Sequence, residues 1–163
     1  MKTLLIVRHA KSSWADFGKT DFERDLNERG KKDAPEMAQR LVEKKIKIDT
    51  FISSPARRAK KTCKAFCKEY DVDTDKIILI DILYHASVEV FYSVIASLNE
   101  EDKHVAIFSH NPGITEFVNT LIKEVQIDNM PTCAVFSVSI DAKDWSSFRD
   151  SEKKFLFFDY PKS

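Results

Sequence analysis

The run Thr3-Leu4-Leu5-Ile6-Val7 constrains the fold of this chain more than any other stretch, because it stays apolar after Thr3 and shows no polar alternation. A strand with one wet face alternates. A continuous branched run is instead the mark of a strand covered on both faces, as in a parallel sheet held between helices. The run stops abruptly at Arg8-His9-Ala10-Lys11. Charge placed where a buried strand leaves the core costs free energy unless a ligand needs it, so the end of this first strand is where a site is expected.

The rest of the chain supports a layered α/β reading. Ala10 to Asp25 has neither a helical nor a strand period and contains Ser12, Ser13, Trp14, Asp16, Gly18, Asp21 and Arg24. A connection of that length in a compact domain is more often a functional loop than slack. From Asn27 the pattern turns helical: Ala34, Met37, Ala38, Leu41 and Val42 form the core face, and Lys31, Lys32, Glu36, Arg40 and Glu43 the solvated one. Asn27 is the N-cap in this reading, with a start nearer Asp33 as the alternative because Pro35 otherwise falls inside the helix. Ile48 to Ile52 reads as the second strand. Ser54-Pro55 then signals a helix start, with Ala59, Cys63, Phe66, Cys67 and Tyr70 buried and Arg57, Lys61, Lys64 and Lys68 on a basic solvent face. Arg58 belongs to neither face.

Ile77-Ile78-Leu79-Ile80 predicts a third buried strand, followed by the loop Leu83-Tyr84-His85-Ala86 and a short helix capped by Ser87, with Val88, Phe91, Val94, Ile95 and Leu98 inward. Val105 to Phe108 is the fourth strand and stops at Ser109-His110-Asn111-Pro112-Gly113, a second cap-then-proline signal. Ile114, Phe117, Val118, Leu121 and Ile122 form the next inward stripe. Cys133 to Ile140 and Phe155 to Phe158 read as strands with no helix between them, which predicts an antiparallel pair at the sheet's end. The expected fold is a three-layer α/β/α sandwich with a mostly parallel central sheet and an antiparallel C-terminal edge. At 163 residues it fits one domain over 1–163.

Composition narrows the partners. The 26 basic and 26 acidic side chains cancel, which argues against a nucleic-acid footprint or a polybasic membrane surface. Three cysteines make no disulfide framework and fit a reducing, cytoplasmic setting. No apolar run approaches the length of a secretory or membrane-spanning segment. The scattered acidic residues show no metal-ligand spacing, and neither metal nor cofactor is expected.

In open α/β sheets ligands bind outside the carboxyl ends of the strands. Arg8 and His9 follow strand one, Arg58 follows strand two and His110 follows strand four. Arginine forks match phosphate oxygens, and a neutral imidazole is a competent nucleophile near neutral pH. Helix starts after Ser54 and Asn111 add potential favourable to an anion. Lys11, Ser12 and Arg24 are placed to line the same pocket, and Trp14 to close over it.

The blocks Arg8-His9, Ser54-Pro55-Ala56-Arg57-Arg58-Ala59 and Ser109-His110 resemble the histidine phosphatase superfamily, which is related to cofactor-dependent phosphoglycerate mutases. Within it, Arg8-His9-Ala10-Lys11-Ser12 and the following Asp21, Arg24, Leu26 and Gly30 look most like SixA-type phosphohistidine phosphatases. The resemblance implies that His9 is the nucleophile, that Arg8 and Arg58 hold the phosphoryl group, and that His110 stabilises it in transfer. Many members carry Gly where Ala10 stands, and many supply a carboxylic acid after the third strand, where this chain has Leu83-Tyr84-His85-Ala86. His85 is the weak candidate acid there. Lacking a carboxylate at that point, the site is expected to favour a phosphohistidine-bearing protein over sugar phosphates. A small-molecule phosphomonoesterase and a non-catalytic phospho-binding module are the alternatives.

Overall fold

Leu4 and Ile6 pack into one hydrophobic core while Leu5 and Val7 pack into a second, on opposite faces of the same strand. That two-sided burial is why the run carries no polar alternation. The computed structural model describes residues 1–14 and 18–162; Asp16, named above in the long loop, lies outside them. The strands are β1 (Lys2–Arg8), β2 (Thr50–Ser53), β3 (Ile78–Leu79), β4 (His104–Ser109), β5 (Val135–Ile140) and β6 (Lys153–Asp159). They form one sheet in the order β3-β2-β4-β1-β5-β6. The β1–β4, β2–β4 and β2–β3 pairs are parallel, and the β1–β5 and β5–β6 pairs antiparallel. The expected α/β/α sandwich with an antiparallel C-terminal edge is the observed one.

Helices α1 (Glu28–Glu43) and α2 (Arg57–Glu69) cover the Leu5 and Val7 face, while α3 (Val88–Ala96) and α4 (Gly113–Val118) cover the Leu4 and Ile6 face. Asn27 caps α1 by accepting from the Gly30 N–H at 2.8 Å, and Pro35 sits inside the helix. A strong cap and a buried face of Ala34, Met37, Ala38 and Leu41 outweigh the hydrogen bond that proline removes. Two side chains of this helix depart from expectation. Val42, at the far end, is exposed. Arg40 is not freely solvated: it donates to Asp159 Oδ1 at 2.9 Å and to the Tyr160 carbonyl at 3.0 Å, tying α1 to the end of β6.

Other expectations need correction. The third strand is neither long nor buried; β3 has two residues, both exposed, because it lies at the sheet edge. Apolar composition alone does not separate an edge from a centre. The second strand begins at Thr50 rather than Ile48. Helix α2 begins at Arg57, not at Pro55, because the Ser54 hydroxyl is engaged with Ala56 N–H and with His110. Helix α4 begins at Gly113, and the Asn111 side chain turns to Thr115 and Asn129 instead of capping it. Trp145, silent in the sequence pattern, is fully buried and donates from Nε1 to the Asp102 carbonyl at 2.6 Å.

The first turn of α1 anchors the loop after β1. Asn27 N–H donates to the Lys11 carbonyl at 3.0 Å, and a Cβ on Gly30 would lie 2.1 Å from that same oxygen. Alanine normally gains about 1 kcal/mol over glycine within a helix. Here Gly30→Ala is expected to destabilise by roughly 1–3 kcal/mol, the range for overpacking against atoms that cannot retreat. Urea denaturation reads the sign directly, and a stabilised variant would contradict the close approach.

Candidate active site

A cleft of ≈ 230 Å³ at the carboxyl edge of β1, β2 and β4 is lined by Arg8, His9, Lys11, Ser12, Trp14, Asp21, Arg24, Arg58, His110, Asn111 and Thr132. All four residues expected at strand ends are brought together there, as are Lys11, Ser12 and Arg24. His85 is not among them. It is exposed, with its ring centroid 4.0 Å from that of Tyr84 and the two planes tilted by 34°. The reason is local: Tyr84 turns toward the cleft, and its neighbour in the loop turns to solvent.

His9 is buried beneath the cleft. Its Nδ1 lies 2.7 Å from the Ala10 carbonyl, which accepts but cannot donate, so Nδ1 carries the hydrogen and Nε2 keeps its lone pair. Burial pushes the imidazole pKa down to about 3, the Ala10 carbonyl pulls it partly back, and Arg58, Arg8 and Arg24 depress it further. His9 is therefore neutral throughout the physiological range. The adjoining backbone is fixed from α2, where Thr62 Oγ1 receives the Ala10 N–H at 2.9 Å and itself donates to the Arg58 carbonyl at 2.8 Å. One threonine thus couples the His9 turn to the helix that carries Arg58.

His110 lies across from His9, ring centroids 5.2 Å apart. Its Nε2 is 2.7 Å from Ser54 Oγ. That oxygen also accepts from Ala56 N–H, and with its second lone pair and its own hydrogen it can either accept from or donate to His110 Nε2. Nδ1 is buried and has no partner among the described residues. Burial first, then His9 and Arg58, lower the His110 pKa to about 2. The result is a neutral histidine whose Nδ1 is unpartnered among the described residues.

Three guanidinium groups crowd the same space. Arg8 Nη1 donates to the Met130 carbonyl at 2.8 Å, Arg24 Nη2 to Ser12 Oγ at 2.6 Å, and Arg58 Nη1 to the Asp21 carbonyl at 2.6 Å. The Nε atoms of Arg8, Arg24 and Arg58 are buried without partners among the described residues. Burial and then the charge of Arg58 lower the pKa of both Arg8 and Arg24. Buried like charges with spare donors are the electrostatic signature of a site for an oxyanion. Trp14 is largely exposed, and the Arg24 guanidinium carbon lies over its ring, 3.4 Å from the centroid. Among the described residues, no group of three or more His, Cys, Asp or Glu is placed to hold a metal ion.

Sequence reasoning missed Asp21 and Tyr84 as a unit. Asp21 Oδ2 receives the Tyr84 hydroxyl at 2.6 Å and Arg58 Nη2 at 3.1 Å. The two residues come from loops 63 positions apart, and no periodicity links them. Thr62 and Ser54 were likewise visible only as helix residues.

Comparison with known proteins gives the same classification. Residues 4–79 match the sequence model of the histidine phosphatase superfamily, branch 1. The full chain superposes on the SixA protein of Agrobacterium tumefaciens with a TM-score of 0.83, 27% identity and 98% of each chain covered. It also superposes on the protein histidine phosphatase SixA in complex with tungstate, with a TM-score of 0.82, 22% identity, and 98% of this chain and 97% of that one covered. Over residues 4–79 this chain is similar to the histidine phosphatase superfamily, and over its full length its fold is like that of the SixA structures. Phosphoserine phosphatase 1 of Hydrogenobacter thermophilus is 36% identical over 86 residues, 50% of this chain and 40% of that protein. The mitochondrial serine/threonine-protein phosphatase Pgam5 of Drosophila ananassae is 36% identical over 75 residues, 46% of this chain and 25% of that protein. The chain thus spans well under half the length of either curated relative.

Proposed function

We propose that this protein is a phosphohistidine phosphatase that acts on a phosphohistidine-bearing signalling protein through a phosphoryl-enzyme on His9. The observation that carries the reading is the state of His9: neutral, its Nδ1–H fixed on the Ala10 carbonyl, its Nε2 lone pair free, in a cleft of arginines. His9 Nε2 attacks phosphorus as the bond to the leaving nitrogen breaks, and the departing imidazole keeps the electron pair and takes a proton from solvent. Water then attacks the phosphoryl-His9 intermediate and gives its proton to solvent, inorganic phosphate leaves, and the electron pair of the broken P–N bond returns to Nε2. Arg8, Arg58 and Arg24 and the imidazole of His110 stabilise the non-bridging oxygens, the main demand of phosphoryl transfer. Lys11 adds charge at the exposed rim and Ser12 orients Arg24. No metal or cofactor has a part in these steps.

The volume of the cleft favours a protein-borne substrate over an enclosed metabolite. At ≈ 230 Å³ it falls below the roughly 300–1,000 Å³ of sites that enclose a small molecule. The protein histidine phosphatase complexed with tungstate, a tetrahedral oxyanion like phosphate, supports the same reading. We place the reaction in the reducing cytoplasm, where buried free Cys63, Cys67 and Cys133 persist unpaired. Among the described residues no helix is long and apolar enough to cross a membrane.

Incubation with radiolabelled phosphoramidate, followed by an alkaline quench and peptide mapping, is expected to place acid-labile phosphate on His9. Turnover that survives His9→Asn would overturn the proposal. Undiminished ligand affinity with neither label nor turnover would leave the phospho-binding module in its place.

A further inference from the structure

We propose that Asp21 is the proton donor to the leaving group, a carboxyl delivered by the loop after β1 to the place where the loop after β3 offers none. The inference rests on the phosphatase reading above and extends it to phosphate esters, whose alcohol leaving groups need a proton.

The geometry is built around one carboxyl. Asp21 lies in a single 3-10 turn, Asp21–Glu23, and lines the cleft together with His9 and His110. Arg58 fixes its backbone carbonyl through Nη1 at 2.6 Å. Its Oδ2 is held by Tyr84 at 2.6 Å and by Arg58 Nη2 at 3.1 Å. Its Oδ1 has Arg24 Nη1 at 3.6 Å, beyond hydrogen-bond distance. Oδ2 is therefore the anchored oxygen, and Oδ1, which has the Arg24 ion pair but no hydrogen bond among the described residues, is the one placed to carry a proton. The side chain is 46% exposed, which gives it proton exchange with solvent. Tyr84 belongs to the Leu83-Tyr84-His85-Ala86 loop, and its ring stands edge-on to His110 with centroids 5.6 Å apart. That loop supplies a positioning hydroxyl and not the acid itself.

The same contacts explain how the carboxyl comes to be protonated when needed. In the free site burial raises its pKa, but the hydrogen bonds from Tyr84 and Arg58 and the charges of Arg58 and Arg24 outweigh burial and hold it below the usual value. A phosphoryl group entering the cleft competes for the Arg58 and Arg24 donors and sets negative charge beside Asp21. Both changes favour the protonated carboxyl. The charged and titratable groups facing it among the described residues are Tyr84, Arg58, Arg24 and His110. In the first step His9 Nε2 bonds to phosphorus, the P–O bond of the ester breaks, and the leaving oxygen takes the proton from Asp21 Oδ1. In the second, the Asp21 carboxylate takes a proton from the attacking water as the P–N bond to His9 breaks, so the acid is regenerated.

The test is leaving-group dependence in the full chain, with phenyl phosphate and p-nitrophenyl phosphate as probes. Phenolate needs a proton on departure at neutral pH and p-nitrophenolate far less. Asp21→Asn is expected to lower kcat on phenyl phosphate by roughly 10²-fold, at the lower end of the range for general acid catalysis, and on p-nitrophenyl phosphate by at least ~10-fold less. Tyr84→Phe is expected to show the same pattern at smaller amplitude, with a shifted basic limb in its pH profile. Equal losses on both esters would reduce Asp21 to a positioning residue. Gains on both would make it a mere occupant of the arginines, and either result overturns the proposal. A native protein that labels His9 while Asp21→Asn keeps the ester ratio unchanged sinks this inference alone. Absence of both label and turnover in the native protein sinks the phosphatase reading with it.

Discussion

Arg58→Ala is expected to lower kcat/KM on p-nitrophenyl phosphate by roughly 10²–10³-fold, whereas Arg57→Ala, one residue away, is expected to leave it unchanged. The magnitude is that of removing one preorganised donor from a developing oxyanion, about 3–4 kcal/mol of transition-state stabilisation. The contrast comes from the helix. Successive residues on α2 point about 100° apart, so Arg57 stands in solvent with Lys61, Lys64 and Lys68 while Arg58 is 6% exposed and turned into the cleft. Arg58→Lys is expected to restore little, because a point charge replaces a planar fork that meets two oxygens at once. Steady-state kinetics on the three variants, with circular dichroism to confirm that each is folded, settles the assignment. Similar losses in Arg57→Ala and Arg58→Ala would mean that the arginines act through general surface charge.

Much of this site was legible in sequence because a doubly wound sheet delivers residues to one edge by position alone. Arg8, His9, Arg58 and His110 each follow a strand, and the carboxyl edge gathers them. What stayed hidden depended on side-chain direction in loops. Tyr84 and His85 are adjacent and both aromatic, yet one reaches Asp21 and the other faces solvent. No period distinguishes them. The edge strand was misread for a related reason: Ile77-Ile78-Leu79-Ile80 has the composition of a buried strand, and only the sheet order shows that β3 has a neighbour on one side. The start of α2 was misplaced because Ser54, a good N-cap by residue type, is drawn to His110 instead. A contact at the site displaced a local preference there.

Acid is expected to destabilise this protein well before its carboxylates titrate. His9 and His110 have pKa values lowered to about 3 and about 2 in the folded chain, against about 6.5 in an unfolded one. Between pH 6.5 and these folded values the unfolded state binds protons that the folded state refuses, so stability falls as pH falls. At pH 5 each histidine costs about 2 kcal/mol, and each further pH unit adds ~1.4 kcal/mol per histidine. About 4 kcal/mol from the pair is a large share of the roughly 5–15 kcal/mol that holds a typical domain together. Asp21 and Asp25, whose pKa values are also lowered, act in the same direction but only below their ordinary value near 4. The window from pH 4 to 6.5 therefore belongs to the histidines. Urea denaturation at pH 7.5, 6 and 5 is expected to give a slope approaching two protons, and His9→Asn or His110→Asn to remove about one each. A slope below one proton in the native protein would show that at least one of the two imidazoles is not held neutral. Inorganic phosphate at pH 5 should recover part of the loss, since an anion in the cleft offsets the arginine repulsion that helps keep both histidines uncharged.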